Sequence, residues 1–277
     1  MNIKQVYFPK TLKEALSLTK KKNSVFIAGS SYSFKNIPSQ AEIAVMGSNL
    51  PLTYIKKDSK NLILGAGATF ADMEENKLCK TLFGGVLAKA ASACSSQLIR
   101  NMATVGGNMA HPNAFNLMPL LCSCTDAKVK IMSSSGTKTV SWTEIYGGKY
   151  KAGKDFLITE ILFPLSYSKN IFYFEKVSKI KSSWDSYITV CFSLELKKSA
   201  VKNISLAFSA LRAIPIRALE AEKRLIGKTL DSQTISEAAD LCAQEILSVH
   251  KGSSWEYKAK LAGNLTSYFL STAAEAK

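Results

Sequence analysis

An α+β fold in two parts is predicted by three observations. Residues 1–53 read as a small unit of amphipathic helix and short apolar strands. Residues 54–165 mix a hairpin, small-residue helices and alternating strands. After Pro164 come three strand-like runs followed by three helical ones, a meander with helices packed on it. The 277 residues suffice for one large or two modest domains, and 47% hydrophobic with 21% charged residues is globular composition. The expected division is 1–165, with subdomains at about 1–53 and 54–165, and then 166–277.

The elements follow in order. Thr11 caps a helix over 12–22, with Glu14 in capping-box position and Leu12, Ala15, Leu16 and Thr19 on one face. A strand over 25–28 breaks into Gly29, Ser30, Ser31, Tyr32 and Ser33, and a second strand covers 43–46. The segment YIKKDSKNLILGAGAT alternates around a turn at 58–61, as a hairpin does. Thr69 caps a helix through Asn76, and 82–95 reads as a longer helix that tolerates Gly84 and Gly85. IRNMATVGGNMAHP follows, then the apolar run 117–122. Strands are expected over 128–132, 137–142 and 156–163, the last stopped by Pro164. Beyond it lie strands at 171–177, 187–196 and 204–211. Helices are expected at 217–226, 234–248 and 254–270, the last opening on Ser254.

Composition excludes several classes of function. No apolar run nears the roughly 18 residues of a membrane span, and the first residues lack a signal-peptide core, so a cytoplasmic protein is expected. Six cysteines are scattered, and Cys122 and Cys124 have no second pair at zinc or iron–sulfur spacing. The 36 basic against 21 acidic residues give +15, yet the lysines are dispersed and no nucleic-acid motif accompanies them. With only His111 and His250, and no G-x-S-x-G, H-E-x-x-H or Walker loop, side-chain catalysis lacks its usual groups. A cofactor is the remaining source of chemistry.

Two glycine-bearing turns suit an anionic one. A diphosphate needs backbone N–H groups at close range, which glycine permits and a β-carbon obstructs. AGSSYS at 28–33 and TVGGN at 104–108 have that makeup, though neither is G-x-G-x-x-G, so no Rossmann site is indicated. Either turn taken alone reads first as a structural turn.

Their order and surroundings resemble a known family. FIAGSSYSF, LILGAGATFADME, IRNMATVGGNMA, DFLITEILFP, FEKVSKI, ISLAFSALRAIPIRALEAEKRLIGKTL and WEYKAKLAGNL, in that order, resemble the FAD-binding, medium subunits of molybdenum hydroxylases, the xanthine, carbon monoxide and nicotinate dehydrogenase type. The resemblance implies a vanillyl-alcohol-oxidase-type (PCMH-like) flavin domain of two subdomains, followed by a small domain of antiparallel strands and helices. It implies FAD as cofactor, an iron–sulfur subunit and a molybdopterin subunit as partners, and a soluble electron acceptor such as NAD.

Carried over by position, the resemblance makes Ala28, Gly29, Ser30, Ser31, Tyr32, Ser33 and Phe34 the first diphosphate loop. Thr104, Gly106, Gly107 and Asn108 form the second, Asn101 shapes the turn, and Ala110 and Asn116 follow it. Ile161 lies on the strand that passes the isoalloxazine, and Lys176 at the edge of the second domain faces the flavin. The sequence departs from the family pattern in two places. Ser30 stands where the family has a second glycine, and HPNAFN is shorter than the family's stretch and ends in Asn116 rather than an acid. These departures raise the alternative of a flavin-free scaffold subunit.

Overall fold

A computed structural model describes residues 2–32, 36–147, 151–180, 182–249 and 253–275. The chain begins with β1 (Gln5–Tyr7), α1 (Leu12–Thr19), β2 (Ser24–Ile27) and β3 (Ile43–Met46). The Thr11 hydroxyl accepts the Glu14 N–H at 3.2 Å, and α1 buries Ala15, Leu16, Leu18 and Thr19. β3 lies between β1 and β2, and all three strands run parallel. β1 was not foreseen, because three residues are too few to show a period.

The second unit holds β4 (Ile55–Lys57) and β5 (Asn61–Gly65), then α2 (Phe70–Glu75), α3 (Lys77–Thr81), α4 (Val86–Ser92), α5 (Gln97–Arg100), α6 (Val105–Ala110) and α7 (Leu117–Thr125). It continues with β6 (Lys128–Ser133), β7 (Gly136–Ser141), α8 (Glu144–Gly147) and β8 (Phe156–Pro164). The sheet order is β4-β5-β8-β6-β7, antiparallel throughout. Asp58 closes the first hairpin by accepting the N–H groups of Lys60 and Asn61, each at 2.7 Å. Thr69 and Asp72 form the complete capping box of α2.

The helix expected over 82–95 is interrupted. Gly84 and Gly85 take φ of +59° and +74°, so a 3-10 turn at Phe83–Gly85 precedes a shorter α4. The glycines end one helical direction and begin another.

The third unit is the sheet β12-β11-β10-β9, made of β9 (Ile171–Val177), β10 (Ile188–Lys197), β11 (Ala200–Ser209) and β12 (Ile216–Arg217). It is followed by α9 (Leu219–Leu225), α10 (Ser232–Val249) and α11 (Ser253–Glu275). Arg217, expected at a helix start, sits instead in β12. The Ser254 side chain and His250 lie outside what is described.

Period-two alternation gives β10 and β11 two different faces. Ile188, Val190, Phe192, Leu194, Leu206 and Phe208 form a core with α9, α10 and α11. Cys191 and Ala207 on the other face join the core of the second unit, beside the buried Ser193, Ser205 and Ser209. α7 seats on that small-residue face, with β8, α4 and α6 on its far side, and all nine of its residues are buried. The apolar run 117–122 is therefore a helix shared by the two halves.

An ion pair fastens the same seam. Arg217 donates to both carboxylate oxygens of Glu222, at 2.8 and 2.5 Å, and reaches Asp126 at the end of α7 at 3.1 Å. Glu222, 6% exposed, also accepts the Leu206 N–H at 2.7 Å. Among the described residues no helix is long and apolar enough to cross a membrane.

Candidate functional site

The two glycine-bearing segments meet in space. β2 delivers Ala28–Tyr32 against the corner that follows α5, and Gly29 lies flat on it. A β-carbon there would stand 1.7 Å from the Met102 carbonyl oxygen and 3.1 Å from the Thr104 nitrogen. Close approach of two backbones, rather than an unusual dihedral, is what requires this glycine. Thr104 also adjoins Gly107, since a β-carbon on Gly107 would lie 2.8 Å from the Thr104 hydroxyl oxygen. Both turns thus converge on Thr104.

The second segment is built differently from the open loop expected. Gly106 and Gly107 lie in the first turn of α6, with Thr104 as its cap. The Val105 and Gly106 amides donate to Ala68 and Ala66 at 2.9 and 3.0 Å, and the Gly107 amide donates to the Thr104 hydroxyl at 3.1 Å. Gly106 is small because Ala66 is against it: an added β-carbon would sit 2.5 Å from the Ala66 methyl. The amides of Gly106 and Gly107 are therefore engaged within the protein, and the expectation that they point freely at a ligand is corrected. Gly107 itself is exposed.

The first segment keeps its donors. No described residue accepts from the amides of residues 29–32. Ser30 adopts φ of +62°, the left-handed region that glycine occupies without strain. Successive amides around a left-handed residue form a concavity suited to an anion. The same dihedral gives the Ser30 departure a physical meaning, because a β-carbon is carried where none is favoured. Ser30→Gly is expected to raise stability by roughly 0.5–1 kcal/mol, the relieved strain exceeding the added chain entropy, read as a higher urea midpoint. Ser33 and Phe34 lie outside the described residues.

The side chains after α6 are also committed. Asn108 donates to the Asn116 side-chain oxygen at 3.1 Å and accepts the Met118 N–H at 2.9 Å. Asn116 donates to the carbonyls of Asn108 and His111, both at 2.7 Å. This reciprocal pair closes the short 111–116 segment onto the start of α7. The amide at 116 completes a loop, with Asn108 as its partner. Ala110 is half-buried, and the exposed Asn101 accepts from Gln97 at 2.8 Å. Ile161 is 0% exposed between β5 and β6, so its side chain belongs to the core and not to a ligand surface.

The second half of the chain completes the surroundings. Ala210 donates to the Ala114 carbonyl at 2.7 Å, and the Trp184 ring stands edge-on to Phe115 at 4.9 Å. Lys176 crosses the seam, donating to the Ala93 carbonyl at 3.1 Å and to the Ser183 carbonyl. Its burial holds its pKa below the usual lysine range. The neighbouring Cys94 thiol is pushed up to about 11 by burial, against the pull of Lys176 and Arg100. The Tyr32 and His111 rings meet 4.9 Å apart at a tilt of 48°, a pairing with no local signal in the sequence. Among the described residues no group of histidines, cysteines and acids is placed to hold a metal ion.

The donor set fits a dinucleotide: amides with no acceptor among the described residues, arranged around the left-handed Ser30 and held against the 102–104 corner by Gly29. Comparison with known proteins agrees. Residues 2–166 match the family described as the FAD binding domain in molybdopterin dehydrogenase, and residues 173–273 match the carbon monoxide dehydrogenase flavoprotein C-terminal domain. The glyceraldehyde dehydrogenase medium chain of Sulfolobus acidocaldarius is 26% identical over 219 residues, 78% of this chain and 76% of that one. The nicotinate dehydrogenase FAD-subunit of Eubacterium barkeri is 26% identical over 246 residues, 83% and 82% of the two chains.

Among solved structures, carbon monoxide dehydrogenase from Hydrogenophaga pseudoflava superposes with a TM-score of 0.87 at 22% identity, covering 99% of this chain and 98% of that one. Quinoline 2-oxidoreductase from Pseudomonas putida 86 gives 0.86 at 21%, covering 99% and 97%. At these identities the superpositions speak for the fold, a PCMH-like flavin domain followed by an antiparallel β/α domain. The chain belongs to the FAD-binding medium subunits of the molybdenum hydroxylases, an oxidoreductase family whose cofactor here is FAD.

Proposed function

We propose that this chain holds the FAD diphosphate between the 28–32 turn and the Thr104–Gly107 corner, as one subunit of a molybdenum-dependent dehydrogenase. Its partners in this reading are an iron–sulfur subunit and a molybdopterin subunit, with a soluble electron acceptor such as NAD. The observation that carries the reading is the contact of Gly29 with Met102 and Thr104, which brings two family motifs distant in sequence to one point.

When bound, FAD supplies the redox chemistry that no side chain in the site offers. The chain's own residues bind and orient. The amides of Gly29, Ser30, Ser31 and Tyr32 donate to phosphate oxygens, and the exposed surface at Gly107 leaves room for them. Thr104 fixes the spacing of the two turns through its contacts with both glycines. Lys176 ties Ser183 to the end of α4, at the edge of the second domain. The Asn108–Asn116 pair stiffens the wall that Asn101 and Ala110 flank.

Titration of the purified chain with FAD tests this reading. One flavin per chain is expected, with the absorbance of protein-bound flavin, and co-purification with two partner chains is expected from the native source. Absence of flavin uptake sinks the reading and leaves the scaffold role, which the strained Ser30 and the internally tied Asn116 would then explain.

A further inference from the structure

Tyr32 is the last described residue of the first turn, and His111 follows α6 directly. Their rings lie 4.9 Å apart, tilted by 48°, and both side chains are exposed, Tyr32 at 46%. Each backbone is anchored: the Tyr32 carbonyl accepts from Asn36 at 2.9 Å and the His111 carbonyl from Asn116 at 2.7 Å. Among the described residues, neither the phenol nor the imidazole nitrogens have a hydrogen-bond partner. Two aromatic side chains thus stand in water, fixed at the base and free at the polar tip.

Their placement gives the pair a task. The two segments touch at Gly29 and Met102, which forms a floor, and again at the two rings, which forms a lip. Between floor and lip lie the amides of residues 29–32, which have no acceptor among the described residues. Two rings in contact, tilted across each other, cover what lies beneath them and keep water from it.

Resting on the cofactor reading above, we infer that His111 is a dinucleotide-binding residue, which with Tyr32 forms an aromatic clasp that closes over the diphosphate. FAD leaves only when the rings part, so the clasp sets the rate of cofactor release rather than the stability of the fold.

The test uses the full chain loaded with FAD and diluted into a trap for free flavin, with release followed by the rise in flavin fluorescence. His111→Ala and Tyr32→Ala are each expected to release FAD about tenfold faster, the scale of one lost aromatic contact. The double variant is expected to be no faster than either single one, because the contact is lost once. His111→Phe, which keeps a ring, is expected to restore slow release. Thermal unfolding of the flavin-free chain is expected to be the same in all four variants, since both side chains are exposed. Wild-type release rates in the alanine variants, or fast release from His111→Phe, overturn the clasp while leaving the cofactor reading intact. Failure of the wild-type chain to take up FAD at all overturns both.

Discussion

Gly29→Ala is expected to abolish stoichiometric FAD binding and to destabilise the chain by about 2–3 kcal/mol, the upper range for an overpacked site. The new methyl group would meet the Met102 carbonyl at 1.7 Å, and that obstacle is backbone, which no rotamer change removes. The 28–32 turn must lift away from the 102–104 corner, separating the two halves of the proposed diphosphate site. Gly107→Ala offers the control. Its β-carbon would meet only the Thr104 hydroxyl, at 2.8 Å, and a side chain gives way more cheaply than a carbonyl. Flavin content and urea midpoint together read the result. Full flavin occupancy in Gly29→Ala, or a larger effect at Gly107 than at Gly29, would show that the seam does not shape the site.

The second large effect is expected at Glu222. Glu222→Ala removes the acceptor for two Arg217 hydrogen bonds and for the Leu206 N–H, and leaves a half-buried guanidinium with, among the described residues, Asp126 and the carbonyl of Ser123 as acceptors. Breaking a buried pair on one side costs about 3–5 kcal/mol, because the remaining charge keeps its desolvation penalty. Denaturant unfolding measures it directly. The comparison is Lys223→Ala, which breaks the exposed pair with Glu220 and is expected to leave the unfolding midpoint unchanged. Equal effects at the two positions would remove Glu222 from its structural role.

What the sequence made legible follows from the range of the interactions. The Thr69 cap and the turn at 58–61 are decided by residues two or three apart, and both are present as read, the cap completed as a box by Asp72. The strand at 156–163 was legible, but the face of Ile161 was not, because a central strand buries both faces and alternation fades. The run LFGGVLAKAAS has helical composition throughout, and only the left-handed φ of Phe83, Gly84 and Gly85 reveals the break.

The site divides in the same way. Gly29 and Thr104 were identifiable as residue types, while their reason for being there is mutual contact across a long stretch of chain. The reciprocal amides of Asn108 and Asn116, and the ring of His111 on Tyr32, depend on how the 111–116 segment is drawn onto α7. Nothing within that segment fixes where it docks. The carbonyl of Ala114 is met by the amide of Ala210, a partner from the other half of the chain.

The fully enclosed α7 carries a mechanical consequence. A helix with one side against β8 and the other on the serine, alanine and cysteine face of β10 and β11 has no solvent-lined plane along which the halves can slide. Parting the halves would expose both sides of a buried apolar helix to water, so the joint resists opening and ligand entry is expected at the surface turns.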